Sequence, residues 1–176
     1  MQQRNYQREM DALIASLDAR PRLLLHSCCG PCSSACLERL APHFDIDVFF
    51  YNPNILPAEE WEKRLFWQKH LLETAPFCAN VGLIVPERDE AAFRLAAAGL
   101  EAESEGGARC TECFVLRLSR TAAAARDSGY DYFATTLTVS PHKNAPLINA
   151  IGERLAGEYG AAWLPSDFKK RDGYRR

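Results

Sequence analysis

The fold of this chain is decided by the stretch Leu23-Leu24-Leu25-His26-Ser27-Cys28-Cys29-Gly30-Pro31-Cys32. The three leucines are typical of a short buried strand, and residues 33–40 have the apolar spacing of a helix. The cysteine-rich turn therefore joins a strand to a helix. Because α/β proteins usually carry their chemistry at such a turn, we expect the function at these cysteines.

Strands and helices alternate after this turn. Further strands are predicted at residues 46–51, 82–85, 130–137 and 161–164, and further helices at residues 90–100, 113–128 and 145–159, with one more beginning at Pro57. This alternation predicts a single α/β domain, residues 21–176, with a mostly parallel, doubly wound sheet. Residues 1–20 are predicted to form an N-terminal helical extension, since their apolar residues recur at helical spacing.

The length of 176 residues, with 47% hydrophobic and 25% charged residues, is typical of one soluble globular domain. No apolar stretch approaches the roughly 20 residues that span a bilayer. The first residues also lack the apolar centre of a secretory signal. We therefore expect a cytoplasmic protein with no membrane partner, whose cysteines are reduced thiols rather than disulfides.

The formal net charge of −2 argues against binding nucleic acid through bulk electrostatics. The segment 169–176 is an exception, because it carries five basic residues against one acidic residue. It is a candidate phosphate-contacting segment, with a solvated terminus as the alternative. Its first three residues are the candidate contacts Lys169, Lys170 and Arg171. Arginines at positions 64, 109 and 117 are candidates either for phosphate contacts or for surface salt bridges.

Five of the seven cysteines form two compact clusters, Cys28-Cys29 with Cys32, and Cys110 with Cys113. Each cluster lies at the start of a predicted helix, where the helix field favours thiolates. Four thiolates from two such turns suit either Zn²⁺ or a [4Fe–4S] cluster, and the spacing alone does not separate the two. In a zinc site built from two Cys-x-x-Cys pairs, Cys28 would be a spare thiol.

Three other residues are expected to be structural. Cys36 and Cys78 lie outside both clusters and are predicted to pack in the core. His26 precedes the cysteines on a buried strand and is predicted to be a hydrogen-bonded core histidine rather than a metal ligand.

The tetrapeptide Cys29-Gly30-Pro31-Cys32 is also the active-site sequence of thioredoxins. In thioredoxins, too, it lies between a strand and a helix. Thiol–disulfide exchange is therefore an alternative function. Against it, Cys28 stands where thioredoxins usually have a tryptophan, and the pair Cys110 and Cys113 would remain without a role.

Polar residues follow two of the predicted strands. Asn52 and Asn54 come after the second strand, and Thr135, Thr136 and Ser140 come at and after the fourth. Ligand-binding loops gather at this edge of open α/β sheets, so these residues are candidate substrate contacts. The alternative interpretation is turn chemistry and helix capping.

Four ordered motifs together resemble the cobalamin-independent epoxyqueuosine reductases. They are Leu25-His26-Ser27-Cys28-Cys29-Gly30-Pro31-Cys32, Phe50-Tyr51-Asn52-Pro53-Asn54-Ile55, Arg109-Cys110-Thr111-Glu112-Cys113-Phe114-Val115-Leu116-Arg117-Leu118 and Thr135-Thr136-Leu137-Thr138-Val139-Ser140. The resemblance runs from about Leu23 to the C-terminus. It implies a nucleotide α-hydrolase-like (HUP-like) fold and the reduction of epoxyqueuosine to queuosine in the anticodon of tRNA, the last step of queuosine synthesis.

The resemblance also implies a cofactor and its ligands. It assigns Cys28, Cys29, Cys110 and Cys113 to a [4Fe–4S] cluster and Cys32 to an adjacent iron, so that residues 21–176 become an iron–sulfur catalytic domain. An electron donor, unidentified from the sequence, is a further expected partner. The rival from another class is a zinc-stabilised binding protein that uses the thiolates only structurally.

The chain departs from the family at its C-terminus. Family members continue beyond Asp167-Phe168 into a tail with a Tyr-Cys-Gly-Cys motif, thought to form a redox-active pair, whereas this sequence ends at Arg176 without it. Either the sequence is shortened or this protein receives its electrons by another route.

Overall fold

The structure, a computed structural model, describes residues 3–170 of the chain. Its strands are β1 (Arg22–His26), β2 (Asp45–Phe49), β3 (Gly82–Ile84), β4 (Tyr132–Thr135) and β5 (Ala162–Trp163). Its helices are α1 (Tyr6–Ala15), α2 (Gly30–Leu40), α3 (Ala58–Thr74), α4 (Glu90–Ala97), α5 (Ala108–Asp127) and α6 (Ala145–Tyr159), with 3-10 helices at Pro76–Cys78 and Leu137–Val139. None of the helices in this part of the chain is long and apolar enough to cross a membrane.

All five strands form one parallel sheet in the order β3-β2-β1-β4-β5. The chain runs outward from β1 through β2 and β3, then crosses back and continues outward on the other side through β4 and β5. The strand order therefore reverses between β1 and β4, and ligands of open α/β sheets bind outside the carboxyl ends of the strands at such a reversal. The predicted doubly wound α/β fold is confirmed.

The side chains of β1 alternate between two buried layers, as expected for a strand with a period of two residues. Leu24 packs with residues of α5 and α6 on one face of the sheet. Leu23 and Leu25 pack with residues of α1 and α2 on the other face, where Met10 of α1 is completely buried. The cysteine turn therefore follows a strand that is packed on both faces of the sheet.

Two helices begin earlier than the sequence pattern predicted. Helix α2 begins at Gly30 rather than Ser33, and α5 begins at Ala108 rather than Cys113. Pro31 fits within the first turn of α2 because no intrahelical bond needs an N–H group there. The consequence is that Cys32 lies in the first turn of α2, and Cys110 in the first turn of α5.

Candidate metal centre

Three cysteine thiols converge at the carboxyl end of β1. The sulfur atoms of Cys28, Cys29 and Cys32 all lie within 4.8 Å of one another, and each residue is half-buried. The sulfurs of Cys29 and Cys32 are 3.2 Å apart. All seven cysteines are free. The first cysteine cluster of the sequence is thus preorganised as a group of three neighbouring sulfur donors.

Gly30 allows this turn to lie against helix α3. A Cβ atom at position 30 would lie 2.7 Å from the backbone oxygen of Trp67, closer than atoms can approach without a shift. Before and after the turn in the sequence, the hydroxyl oxygens of Ser27 and Ser33 each lie 2.8 Å from Oε1 of Gln68. Contacts with α3 therefore fix the path of the cysteine turn.

The three thiols do not ionise equally. Hydrogen bonds from the thiols of Cys29 and Cys32 hold the pKa of the Cys28 thiol well below its usual range, and the positive charge of Arg117 lowers it further. The pKa values of Cys29 and Cys32 are raised, in both cases first by their hydrogen bonding with Cys28. The group therefore favours one shared negative charge at Cys28.

The second cysteine pair lies on the first two turns of α5. Cys113 is buried, and the Cys110 sulfur accepts a hydrogen bond of 3.3 Å from the backbone N–H of Gly106. Both residues line a cavity of about 540 Å³ that also includes Asn54 and Arg117. Cys28 and Cys110 pack against the same core layer, although the group of sulfurs within 4.8 Å does not include the second pair.

His26 is a core histidine, as predicted. It is completely buried, and its Nε2 lies 3.0 Å from the carbonyl oxygen of Tyr51 while its Nδ1 lies 2.9 Å from the Thr135 hydroxyl. A carbonyl only accepts, so Nε2 carries the proton and the Thr135 hydroxyl donates to Nδ1. Burial lowers the pKa of His26 to about 4. Cys36 and Cys78 are also buried in the core, as predicted.

The polar residues predicted to contact substrate differ in whether their oxygens already have hydrogen-bond partners within the protein. Buried oxygens of Asn52, Asn54 and Thr136 have no hydrogen-bond partner. The Thr135 hydroxyl is engaged with His26, and the Ser140 hydroxyl accepts a 3.2 Å hydrogen bond from the backbone N–H of His142. Buried oxygens without partners are uncommon in folded proteins, and of these three residues only Asn54 lines the cavity.

Lys169, the first of the basic residues near the C-terminus, lies beside the cavity. The Lys169 ammonium donates a 3.4 Å hydrogen bond to the carbonyl oxygen of Lys143, which lines the cavity, and lies 3.3 Å from a carboxylate oxygen of Asp167. Lys170 is exposed. Arg171, the third candidate phosphate contact, lies outside the described residues.

The arginines that the sequence could not assign have different roles. Arg64 forms an exposed ion pair with Glu60, with Nε 2.9 Å from the carboxylate. Arg109 donates to the backbone oxygen of Glu101 and lines the cavity. Arg117 is buried, so its interpretation as a surface residue is wrong. Arg117 follows Cys113 by four residues and Cys110 by seven. This helical spacing is the one signal in the sequence that puts Arg117 on the same side of α5 as the two cysteines.

The clustered cysteine sulfurs favour particular kinds of metal. Thiolates are ligands for zinc and for iron–sulfur clusters, whereas Mg²⁺ and Ca²⁺ require oxygen ligands. A doubly wound α/β sheet with clustered thiols at its switch point defines a class of protein, a cysteine-rich α/β protein suited to bind a soft metal centre.

Comparison with known proteins identifies the family. The sequence profile described as "Epoxyqueuosine reductase QueH" matches residues 23–176. A protein of that description from Staphylococcus epidermidis is 42% identical over 98% of this chain and 75% of its own length. Its counterpart from Streptococcus pyogenes is 42% identical over 98% of this chain and 69% of its own length. A third protein of that description, from Thermotoga maritima, is 33% identical over 87% of this chain and 78% of its own length. The chain belongs to the epoxyqueuosine reductase QueH family, a family of oxidoreductases.

Proposed function

We propose that this protein reduces epoxyqueuosine to queuosine in the anticodon of tRNA. The observation that carries the proposal is the group of three sulfurs within 4.8 Å at the switch point of the sheet, in a chain of the QueH family. Converting an epoxide into an alkene consumes two electrons and two protons and releases water. The protein therefore needs a redox-active centre, which a zinc–thiolate site does not provide.

The residues present fit an iron–sulfur centre. Cys28, Cys29, Cys110 and Cys113 would hold a [4Fe–4S] cluster, and Cys32 is the candidate ligand of an adjacent iron. Such a centre, when bound, supplies electrons and a Lewis acid for the epoxide oxygen. The half-buried position of the first three thiols leaves room for a substrate while keeping the sulfurs partly shielded from water.

The substrate would lie in the cavity beside the cysteines. Asn54 lines this cavity and has a buried oxygen without a partner, so it is the best supported of the proposed substrate contacts. Asn52 and Thr136 also have buried oxygens without a partner, but they do not line the cavity, so they would contact the modified base only after a local shift. Thr135 would act by orienting His26, and Ser140 by shaping the turn before α6.

The tRNA backbone would run over the basic segment beside the cavity. Lys169, Lys170 and Arg171 are the proposed phosphate contacts. The hydrogen bond between the Lys169 ammonium and the carbonyl oxygen of Lys143 supports this, because it brings the start of the segment to the cavity rim. Local positive charge at the rim would compensate for the acidic balance of the whole chain.

The test is anaerobic purification followed by iron, sulfide and zinc analysis and a visible spectrum, on the wild type and on Cys110→Ala. We expect about four iron and four sulfide per chain with brown absorption, lost in Cys110→Ala and retained in the control Cys78→Ala, whose thiol lies outside both clusters. Chemically reduced wild type should then convert epoxyqueuosine in tRNA to queuosine. Stoichiometric zinc without colour would overturn the proposal in favour of a structural zinc site.

A further inference from the structure

A buried arginine lies beside the cysteines, and no carboxylate in the described part of the chain forms an ion pair with it. The Arg117 residue on α5 is only 4% exposed, and it lines the same cavity as Cys110 and Cys113. Residues that are three, four and seven apart share one face of a helix, so the two thiols and the guanidinium form a single stripe.

The contacts of Arg117 within the protein are weak. Its Nε lies 3.5 Å from the carbonyl oxygen of Cys113, at the limit of a hydrogen bond, and its guanidinium carbon lies 5.7 Å from the centre of the Phe114 ring. Among residues 3–170, no Asp or Glu forms an ion pair with it. Neither contact supplies the negative charge that a buried guanidinium requires.

Apart from Glu105, the described residues of this cavity that can become negatively charged are Cys110 and Cys113. His26 cannot supply a negative charge. Glu105 lines the cavity, but it is exposed to solvent and forms no ion pair within the described part of the chain. The influence of Arg117 reaches the first cysteine cluster, because its charge helps to lower the pKa of Cys28.

We propose that Arg117 is a positioning residue for the cysteine centre, where its permanent positive charge balances the negative charge that thiolates and bound metal carry together. This inference rests on the proposed function only in that the cysteines bind a metal. A fixed positive charge favours formation of an anionic metal–thiolate complex. It also stabilises the more negative, reduced state of a neighbouring cluster and so raises the midpoint potential.

The test compares Arg117→Met, which removes the charge, and Arg117→Lys, which keeps it, with the control Arg126→Gln. Arg126 lies on the same helix but is exposed and is near the end opposite the cysteines. Three properties are measured: cobalt(II) affinity of the metal-free protein from the thiolate-to-cobalt absorption, cluster midpoint potential by anaerobic dye titration, and thermal unfolding of the metal-free protein.

For Arg117→Met we expect cobalt affinity to fall by about 10- to 100-fold, as is typical when a group that supports metal ligands is removed. The midpoint potential should become more negative. The metal-free variant should unfold at the wild-type temperature or higher, because removal of an uncompensated buried charge is not destabilising. Arg117→Lys should retain most of the affinity and potential, and Arg126→Gln should match the wild type.

Two results would overturn the inference. One is an Arg117→Met variant with wild-type cobalt affinity and midpoint potential. The other is an Arg117→Met substitution that lowers the unfolding temperature of the metal-free protein as much as that of the metal-loaded protein. Arg117 would then be a packing residue. If the wild type binds cobalt through its thiolates but assembles no iron–sulfur cluster, the reductase proposal fails while the cobalt comparison still decides the role of Arg117.

Discussion

The Nδ1 atom of His26 lies 2.9 Å from the Thr135 hydroxyl oxygen, and this contact joins the carboxyl ends of β1 and β4. These are the two strands between which the order of the sheet reverses. The other ring nitrogen of His26 binds the carbonyl oxygen of Tyr51, in the segment after β2. One neutral imidazole thus ties together three segments that surround the cysteine turn.

We predict that protonation of His26 destabilises the metal-free protein. Its pKa is lowered to about 4 in the fold from 6.5, so between these values the unfolded chain binds the proton more readily. The free energy of unfolding should therefore decrease as the pH falls from about 6.5 to about 4, by up to about 3 kcal/mol from this residue. Denaturant unfolding of wild type and His26→Gln across this range is the measurement. Equal pH slopes in both proteins would contradict the prediction.

The fold was largely predictable because its local signals are strong. Apolar runs such as Leu23 to Leu25, separated by turns rich in glycine and proline, indicate the strands, and their alternation with helices indicates a parallel sheet. Apolar patterns do not encode which strands pair. The strand order therefore comes from the structure.

The site was only partly predictable, for a physical reason. Cysteine clusters are visible in any sequence, whereas the burial of Arg117 is not, because arginine is nearly always exposed and its spacing from Cys110 and Cys113 has many interpretations. Likewise, Thr135 and Thr136 are adjacent and of one type, yet one hydroxyl is engaged with His26 and the other has no partner. Only three-dimensional contacts separate such neighbours.

We predict that mild oxidation links Cys29 to Cys32 in the metal-free protein. Their sulfurs are 3.2 Å apart, with Cys29 directly before α2 and Cys32 in its first turn. Diamide would take two electrons and two protons from the two thiols as the S–S bond forms, so the mass of the chain falls by about 2 Da. Peptide mapping after alkylation should find Cys29 and Cys32 linked and the buried Cys36 reduced. Zinc added beforehand should prevent the reaction, and a linkage at other positions would contradict the expectation.

We predict that the basic segment contributes to tRNA binding through charge alone. Reversal of Lys169 and Lys170 to Glu should weaken tRNA binding most at low salt, and should reduce the slope of log affinity against log salt by about 1 to 2. The control Arg126→Glu reverses a charge far from the cysteines. Fluorescence anisotropy with labelled tRNA at several salt concentrations provides the measurement. An unchanged slope in the double variant would show that these lysines do not contact phosphate.

The close approach of Gly30 to α3 makes a paired glycine experiment possible. In Gly30→Ala, the added Cβ would meet the Trp67 backbone oxygen at 2.7 Å, and a backbone oxygen cannot move without shifting its helix. We expect a loss of about 1–3 kcal/mol in the free energy of unfolding, as for other overpacked sites. Cobalt affinity should fall as well, since the shift begins one residue from Cys29.

The matched control is Gly157→Ala. Gly157 lies within α6, and a Cβ there would have no atom within 4 Å, so alanine should stabilise the protein by about 0.5–1 kcal/mol through its better helix propensity. The two substitutions add the same methyl group and should change stability in opposite directions. Denaturant unfolding of the metal-free proteins measures both. If Gly30→Ala were also stabilising and kept its cobalt affinity, then contact with α3 would not be what fixes the cysteine turn.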